Sequence, residues 1–273
     1  MSIRFALAAA VAAALAMTAT LDAQWLNYPT RGVPRSADGK PHLSAPAPRA
    51  LDGRPDFSGI WQLEPDASCP PGIGCQVDYP VGSEFRNIGA KLPGGLPYQP
   101  WAAALVKERT EQLGKDDPVG FCKPGGAVRI LTYPPYRKFL QLPDLFLILS
   151  ERDVTYRQIF VDGRPLPNDP DPTFNGYSTG RWDGDVLVVQ TNGLREGTWL
   201  DRNGSPISGD AKMTERFRRV NFGRLDIDLT IDDPKVYTRP WTVTLRQRIV
   251  VDTELLDYHC NDNEKSRPHM VGK

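Results

Sequence analysis

From Phe57 onward the chain is built of short runs in which apolar and polar residues alternate. Leu225-Asp226-Ile227-Asp228-Leu229-Thr230-Ile231 does so without a break. Residues 241–251 do so for most of their length, with Trp241, Val243, Leu245 and Ile249 on one side. A period of two is the mark of a strand with one buried face. Residues 139–149, 154–161, 177–182, 186–191 and 213–220 complete the series. Turns such as Asp183-Gly184 and Asn221-Phe222-Gly223 separate them. One helix is predicted over 100–113, where Pro100 suits a first turn and Trp101, Leu105 and Gln112 sit among helix formers. Helices do not alternate with strands, so the pattern argues against a doubly wound sheet. About nine strands predict a mainly β fold, an antiparallel barrel or alternatively a β-sandwich, with one short helix.

The first residues carry a different pattern. Arg4 precedes an apolar, alanine-rich run over 5–17, and small and polar residues lead to Ala23. This is the layout of a secretory signal peptide and is too short for a membrane span. The expected organisation is a leader over 1–23, a proline-rich extended arm over 24–55 and a single β domain over 56–273. The location implied is periplasmic or extracellular. No later stretch approaches about 20 uninterrupted apolar residues, so no transmembrane segment is expected once the leader is removed. Lys and Arg number 33 against 33 Asp and Glu, for a formal net charge of 0. That balance gives no footing for a nucleic-acid partner.

Four cysteines in an exported chain read as disulfides. Three pairings are possible. Cys69 and Cys75 flank Pro70-Pro71-Gly72-Ile73-Gly74, a turn-rich segment that favours a local bridge and leaves Cys122 with Cys260. With no C-x-x-C and only His259 beside a cysteine, no metal is expected, and no cofactor either. In the arm, Asp38-Gly39-Lys40-Pro41-His42-Leu43-Ser44 returns as Asp52-Gly53-Arg54-Pro55-Asp56-Phe57-Ser58, a two-copy echo rather than a solenoid. Trp25 and Tyr28 suggest that the first part of the arm docks on an apolar surface.

Asp56-Phe57-Ser58-Gly59-Ile60-Trp61, opening the first strand after the arm, resembles the G-x-W opening of lipocalin-like (calycin) barrels. The resemblance implies that Trp61 closes one end of a barrel and that an arginine from a late strand packs on the indole; Gly59 should resist substitution if its backbone passes close to another segment. Arg246 and Arg248 are the candidates for that arginine. The chain is also similar to a group of exported bacterial proteins of unknown function. They share the D-F-S-G-x-W opening, a segment like Gly180-Arg181-Trp182-Asp183-Gly184-Asp185-Val186-Leu187-Val188-Val189, and a later Asp232-Asp233-Pro234-Lys235. That likeness implies no activity.

Gly176-Tyr177-Ser178-Thr179-Gly180 fits the G-x-S-x-G of a nucleophile elbow, with Asp201 or Asp210 and then His259 downstream. The following residues read as strand and hairpin instead of helix, so two small residues in a strand explain it better. His259 is a candidate general base, set against a structural role beside a disulfide. In a barrel, alternate positions face the lumen, which raises the interest of Arg157, Glu215 and Arg216 and of the cluster Trp199, Asp201 and Arg202. Asp201, Glu215 and His259 are the candidate acid–base groups, and Arg157, Tyr177, Trp199 and Arg202 the candidate ligand contacts. Tyr133-Pro134-Pro135-Tyr136 is a candidate aromatic rim or sugar-stacking surface. The leading expectation is binding of a small, partly apolar ligand in the barrel cavity. The rivals are a metal-independent acid–base enzyme in the same cavity and an envelope protein that binds a partner through the proline-rich arm.

Overall fold

A computed structural model describes residues 28–65 and 83–260. The leader over 1–23, Trp25, Cys69, Cys75 and His269 lie outside the described residues. The alternating runs form one closed barrel whose strands follow each other around it in chain order. They are β1 Gly59–Leu63, β2 Arg137–Gln141, β3 Leu145–Ser150, β4 Tyr156–Phe160, β5 Tyr177–Asp183, β6 Val186–Asn192, β7 Lys212–Arg219, β8 Arg224–Asp232 and β9 Trp241–Val250. Closure comes from β1 and β9, with Trp61 opposite Ile249, so the sandwich alternative does not apply. The run over 139–149 is two strands, because Pro143 cannot donate to a ladder and Leu142-Pro143-Asp144 turns the chain back on itself.

Nine strands in chain order around a closed ring cannot all be antiparallel to their neighbours; an odd ring needs an odd number of parallel joins. Here that join is β4 to β5, made by the single pair Phe160 and Thr179. A parallel join needs a long crossover, which residues 161–176 supply. All other neighbouring pairs are antiparallel.

The lumen is packed with side chains. Phe139, Phe146 and Phe217 meet at ring-centroid distances of 5.4 to 6.2 Å. Ile148, Val189, Ile227, Leu229 and Leu245 continue the buried set, with Ile227 opposite Leu245 across β8–β9. Trp61 is fully buried at one end, and its Nε1 donates to the Phe57 carbonyl at 2.9 Å. The arginine stacked on it is Arg219, at the end of β7, with Cζ 4.8 Å from the ring centroid. Its guanidinium donates to the carbonyls of Asp56, Ser58, Asn221 and Phe222. Burial lowers its pKa to about 10. Arg246 and Arg248 do not take this part. Trp241, Val243, Leu245 and Gln247 occupy the buried face of β9, and the period of two sends both arginines outward. Gly59 has φ +137°, a conformation that side-chain-bearing residues rarely adopt.

The helices are α1 Ser83–Arg86, α2 Pro100–Glu111, which fulfils the predicted 100–113 helix, and α3 Gly126–Thr132. All seven residues of α3 are buried, so it offers no amphipathic period to read in sequence. Buried Arg137 and Gln247 from the barrel both donate to the Leu131 carbonyl at the C-terminal end of α3. Positive charge is favourable there, although burial lowers the Arg137 pKa to about 9.

The arm folds back on the barrel, and its echo has a structural meaning. Each copy makes a tight loop closed by one bridge, Arg35 with Pro41 and Arg49 with Pro55. In each, the arginine caps its own loop, Arg35 on the Gly39 carbonyl at 3.0 Å and Arg49 on the Gly53 carbonyl at 2.7 Å. The same arginines then pair with carboxylates at the margins of the barrel, Arg35 with Asp252 just past β9 and Arg49 with Asp185 in the β5–β6 turn. Tyr28 is 54 % exposed, and two residues on, Thr30 exchanges hydrogen bonds with Asp252. Cys122 and Cys260 are disulfide-bonded. The bond holds a C-terminal segment whose Tyr258 hydrogen-bonds Glu151 and Asp153 in the β3–β4 turn.

Candidate functional site

Where β4 and β5 join through one pair, the strands part and leave a cleft of about 500 Å³. Its walls carry Tyr156, Phe160, Phe174 and Tyr177, and the lumenal residues Arg157 and Ser178 also line it. Phe160 and Tyr177 stack at 5.3 Å, and Arg164 braces them, lying 4.0 Å over the Phe160 ring and donating to the Tyr177 hydroxyl at 3.2 Å. Tyr156 is 60 % exposed, so an apolar face is presented to solvent there.

Two polar layers lie beneath. In the lumen, Arg157 and Glu215 have fully buried side chains and form a two-pronged ion pair. Arg157 also donates to Ser178 Oγ at 3.1 Å and Thr191 Oγ1 at 3.0 Å, and the two hydroxyls share a 2.9 Å hydrogen bond. The register explains the cluster: Ser178 faces Thr191 across β5–β6, and Glu215 lies on the same lumenal face of β7. Behind the cleft, sharing Pro124, Thr155 and Asn175 with it, is a chamber with room for about one water molecule. Tyr133 and Asp153 line this chamber, and among the described residues neither the buried Tyr133 hydroxyl nor Asp153 Oδ1 has a hydrogen-bond partner. Burial raises the Tyr133 pKa to about 12. The turn between chamber and cleft is strained: Asp153 has φ 59° and Val154 φ 47°, a left-handed conformation that a β-branched residue rarely adopts. Such outliers gather at binding and catalytic sites.

Of the ligand contacts expected from sequence, Arg157 and Tyr177 are at the cleft. Trp199 and Arg202 are not. Trp199 is buried in the β6–β7 loop under Arg109, whose Cζ lies 4.5 Å from its ring, and the Arg202 amide donates to the Phe85 carbonyl. The acid–base candidates occupy three separate settings. Asp201 is fully buried and accepts hydrogen bonds from the Ile88 amide and from the Ser205 amide and hydroxyl, which ties the turn after α1 to the loop. Burial raises its pKa above the ordinary 3.8. Glu215 is held by Arg157, and His259 is exposed beside the disulfide.

Ser178 is followed by strand, not helix, and bonds to Arg157 and Thr191, so the G-x-S-x-G string makes no nucleophile elbow. Its glycines are packing requirements. A Cβ on Gly176 would sit 2.5 Å from the Asn192 carbonyl, and one on Gly180 2.9 Å from Val161. Tyr133 belongs to the predicted aromatic rim but is 4 % exposed, a chamber wall instead of a rim. Nothing in the sequence marks Phe174, Asn175 and Asp153, which lie in irregular segments with no period. Among the described residues no group of three or more His, Cys, Asp or Glu is placed to hold a metal ion, and no helix is long and apolar enough to cross a membrane. No protein-family model matches the chain, and no curated protein sequence is similar to it.

Proposed function

We propose that this is an exported protein, periplasmic or extracellular, that binds a small, partly apolar ligand in the cleft at the β4–β5 seam. The observation that carries the reading is the cleft itself: about 500 Å³ of space with aromatic walls and a few polar groups, at the one place where the barrel ladder is thinnest. That mixture of an apolar lining and a few placed polar atoms is typical of small-molecule sites. The seam is a better site than the lumen proper, where phenylalanine rings occupy the space. Binding is favoured over acid–base catalysis because Asp201 and Glu215 are each committed to buried partners away from any shared opening. The arm is a poorer candidate for partner capture, since both of its repeat arginines are engaged with the barrel.

N-phenyl-1-naphthylamine, a neutral apolar dye that brightens on leaving water, tests the cleft. Saturable fluorescence enhancement is expected, and Phe174→Ala and Tyr156→Ala should each weaken it severalfold without lowering the melting temperature by more than a few degrees. Absence of saturable binding, or binding indifferent to both substitutions, would overturn the assignment of the site. Export is checked separately by N-terminal sequencing of protein from the native host, expected to begin at or near Gln24; a mature chain that retains Met1 removes the compartment.

A further inference from the structure

We infer that the ligand of the seam cleft is a neutral saccharide that sends one hydroxyl into the chamber between Tyr133 Oη and Asp153 Oδ1. This rests on the cleft being a binding site and adds the chemistry of what it takes. Charge is the first argument. The ionised side chains lining cleft and chamber are already matched, Arg157 by Glu215 and Arg152 by Asp153. A charged ligand would have to break one of these pairs, and the fully buried Arg157–Glu215 pair is costly to break.

The second argument is the pair of unpartnered atoms. A carboxylate oxygen only accepts, whereas a phenol both donates and accepts. Tyr133 is 4 % exposed and no described protein group reaches its hydroxyl, which leaves that hydroxyl to bond whatever oxygen enters the chamber. An alcohol completes both: its proton goes to Asp153 Oδ1, and its oxygen accepts from the Tyr133 hydroxyl. The chamber takes about one water-sized group, so it admits a hydroxyl but not the ring that bears it.

The third argument is the cleft wall. The stacked Tyr177 and Phe160 rings and the exposed Tyr156 line the cleft with aromatic surface, while Asn175 and Gln158 place hydrogen-bonding groups among them. A pyranose presents a C–H face to rings and hydroxyls around its edge, which suits that arrangement. A purely apolar occupant would leave the polar wall and both chamber atoms unsatisfied.

Ligand-observed NMR with a panel of neutral mono- and disaccharides and their methyl glycosides, up to tens of millimolar, tests this directly. At least one sugar is expected to show saturation transfer and to displace N-phenyl-1-naphthylamine. Tyr133→Phe should weaken that sugar by about tenfold while moving the melting temperature of the free protein by no more than a few degrees, because no described protein group bonds the removed hydroxyl. A purely structural tyrosine would not separate the two readouts. Asp153→Gly, whose backbone suits φ 59°, should weaken the sugar comparably. If the dye binds the cleft and no sugar displaces it, the saccharide inference fails while the cleft stands. If a sugar binds but neither variant weakens it, the hydroxyl in the chamber is wrong. If neither sugar nor dye binds, both readings fall.

Discussion

At the Trp61 end of the barrel, Arg219 lies on the indole and its donors reach four carbonyls, two before β1 and two just after β7. At the β4–β5 seam, a tyrosine hydroxyl and a carboxylate oxygen are buried with no partner among the described residues. The two regions belong to one sheet and differ in how it is joined. Near Trp61 the ladders are antiparallel and continuous from β1 through β2 and β9, so the segments before β1 and after β7 meet there and supply the buried guanidinium with acceptors. At the seam, the odd strand number forces a parallel join that one residue pair sustains. Covalent and peripheral links hold this side instead: the Cys122–Cys260 disulfide and the Tyr258 hydrogen bonds to the β3–β4 turn. A barrel closed in this way has one end tied by continuous ladders and one seam held by a single pair.

The largest expected effect is at the finished end. Trp61→Ala should cost about 3–5 kcal/mol, the range for deleting a buried aromatic side chain. Arg219→Met, which keeps much of the stem's volume, should cost about 2–4 kcal/mol by stranding carbonyls and losing the stacked cation. Urea unfolding measures both. A Trp61→Ala protein that unfolds like the parent would mean this end does not carry the barrel.

The Arg157–Glu215 pair sharpens the contrast, since it lies in the lumen yet borders the seam. Glu215→Leu alone leaves an uncompensated buried guanidinium and should cost about 3–5 kcal/mol, whereas Glu215→Leu with Arg157→Leu should recover most of it. If single and double variants are equally unstable, the pair is not acting as a matched unit, and the neutrality assigned to the seam goes with it.

Particular residues show what the sequence made readable. The alternation of 225–231 and 241–251 became β8 and β9 almost to the residue, because burying one face of a strand imposes a period of two. The same rule, applied to β7, places Met213, Glu215, Phe217 and Arg219 on one face, and would have singled out Arg219 over the outward-facing Arg246 and Arg248. The echo in the arm was visible, but its use was not: the clamping arginines, Arg35 and Arg49, stand before the matched strings and act on partners far along the chain. The seam was illegible for a stronger reason. It is made by loops, a single strand pair and a buried helix without amphipathic period, so nothing local marks Tyr133, Asp153 and Phe174 as neighbours of one opening.

The disulfide should matter most on the seam side. Replacing Cys122 and Cys260 with serine removes a link across a sequence separation of 138 and should cost about 2–4 kcal/mol. Hydrogen exchange should then rise first in the β3–β4 turn and the C-terminal segment, and last around Trp61. Uniform loss of protection would mean that the two regions are not independently secured.

The smallest effect asks whether the seam's strain is kept for binding. Val154 holds φ 47° with a branched side chain that is half exposed, so its conformation is not repaid by deep burial. Holding a residue in a sparsely populated region costs about 1–3 kcal/mol. Val154→Gly relieves that strain, and the added freedom of the unfolded chain returns about 0.5–1 kcal/mol of it. The variant should therefore be about 1 kcal/mol more stable than the parent. Ligand affinity should move the other way, because a looser turn no longer fixes the Asp153 carboxylate in the chamber wall it shares with Tyr133. Thermal melts and titration of the same two proteins read both quantities. Lower stability in the glycine variant would show that the turn is not strained, and unchanged affinity would show that its rigidity serves no ligand.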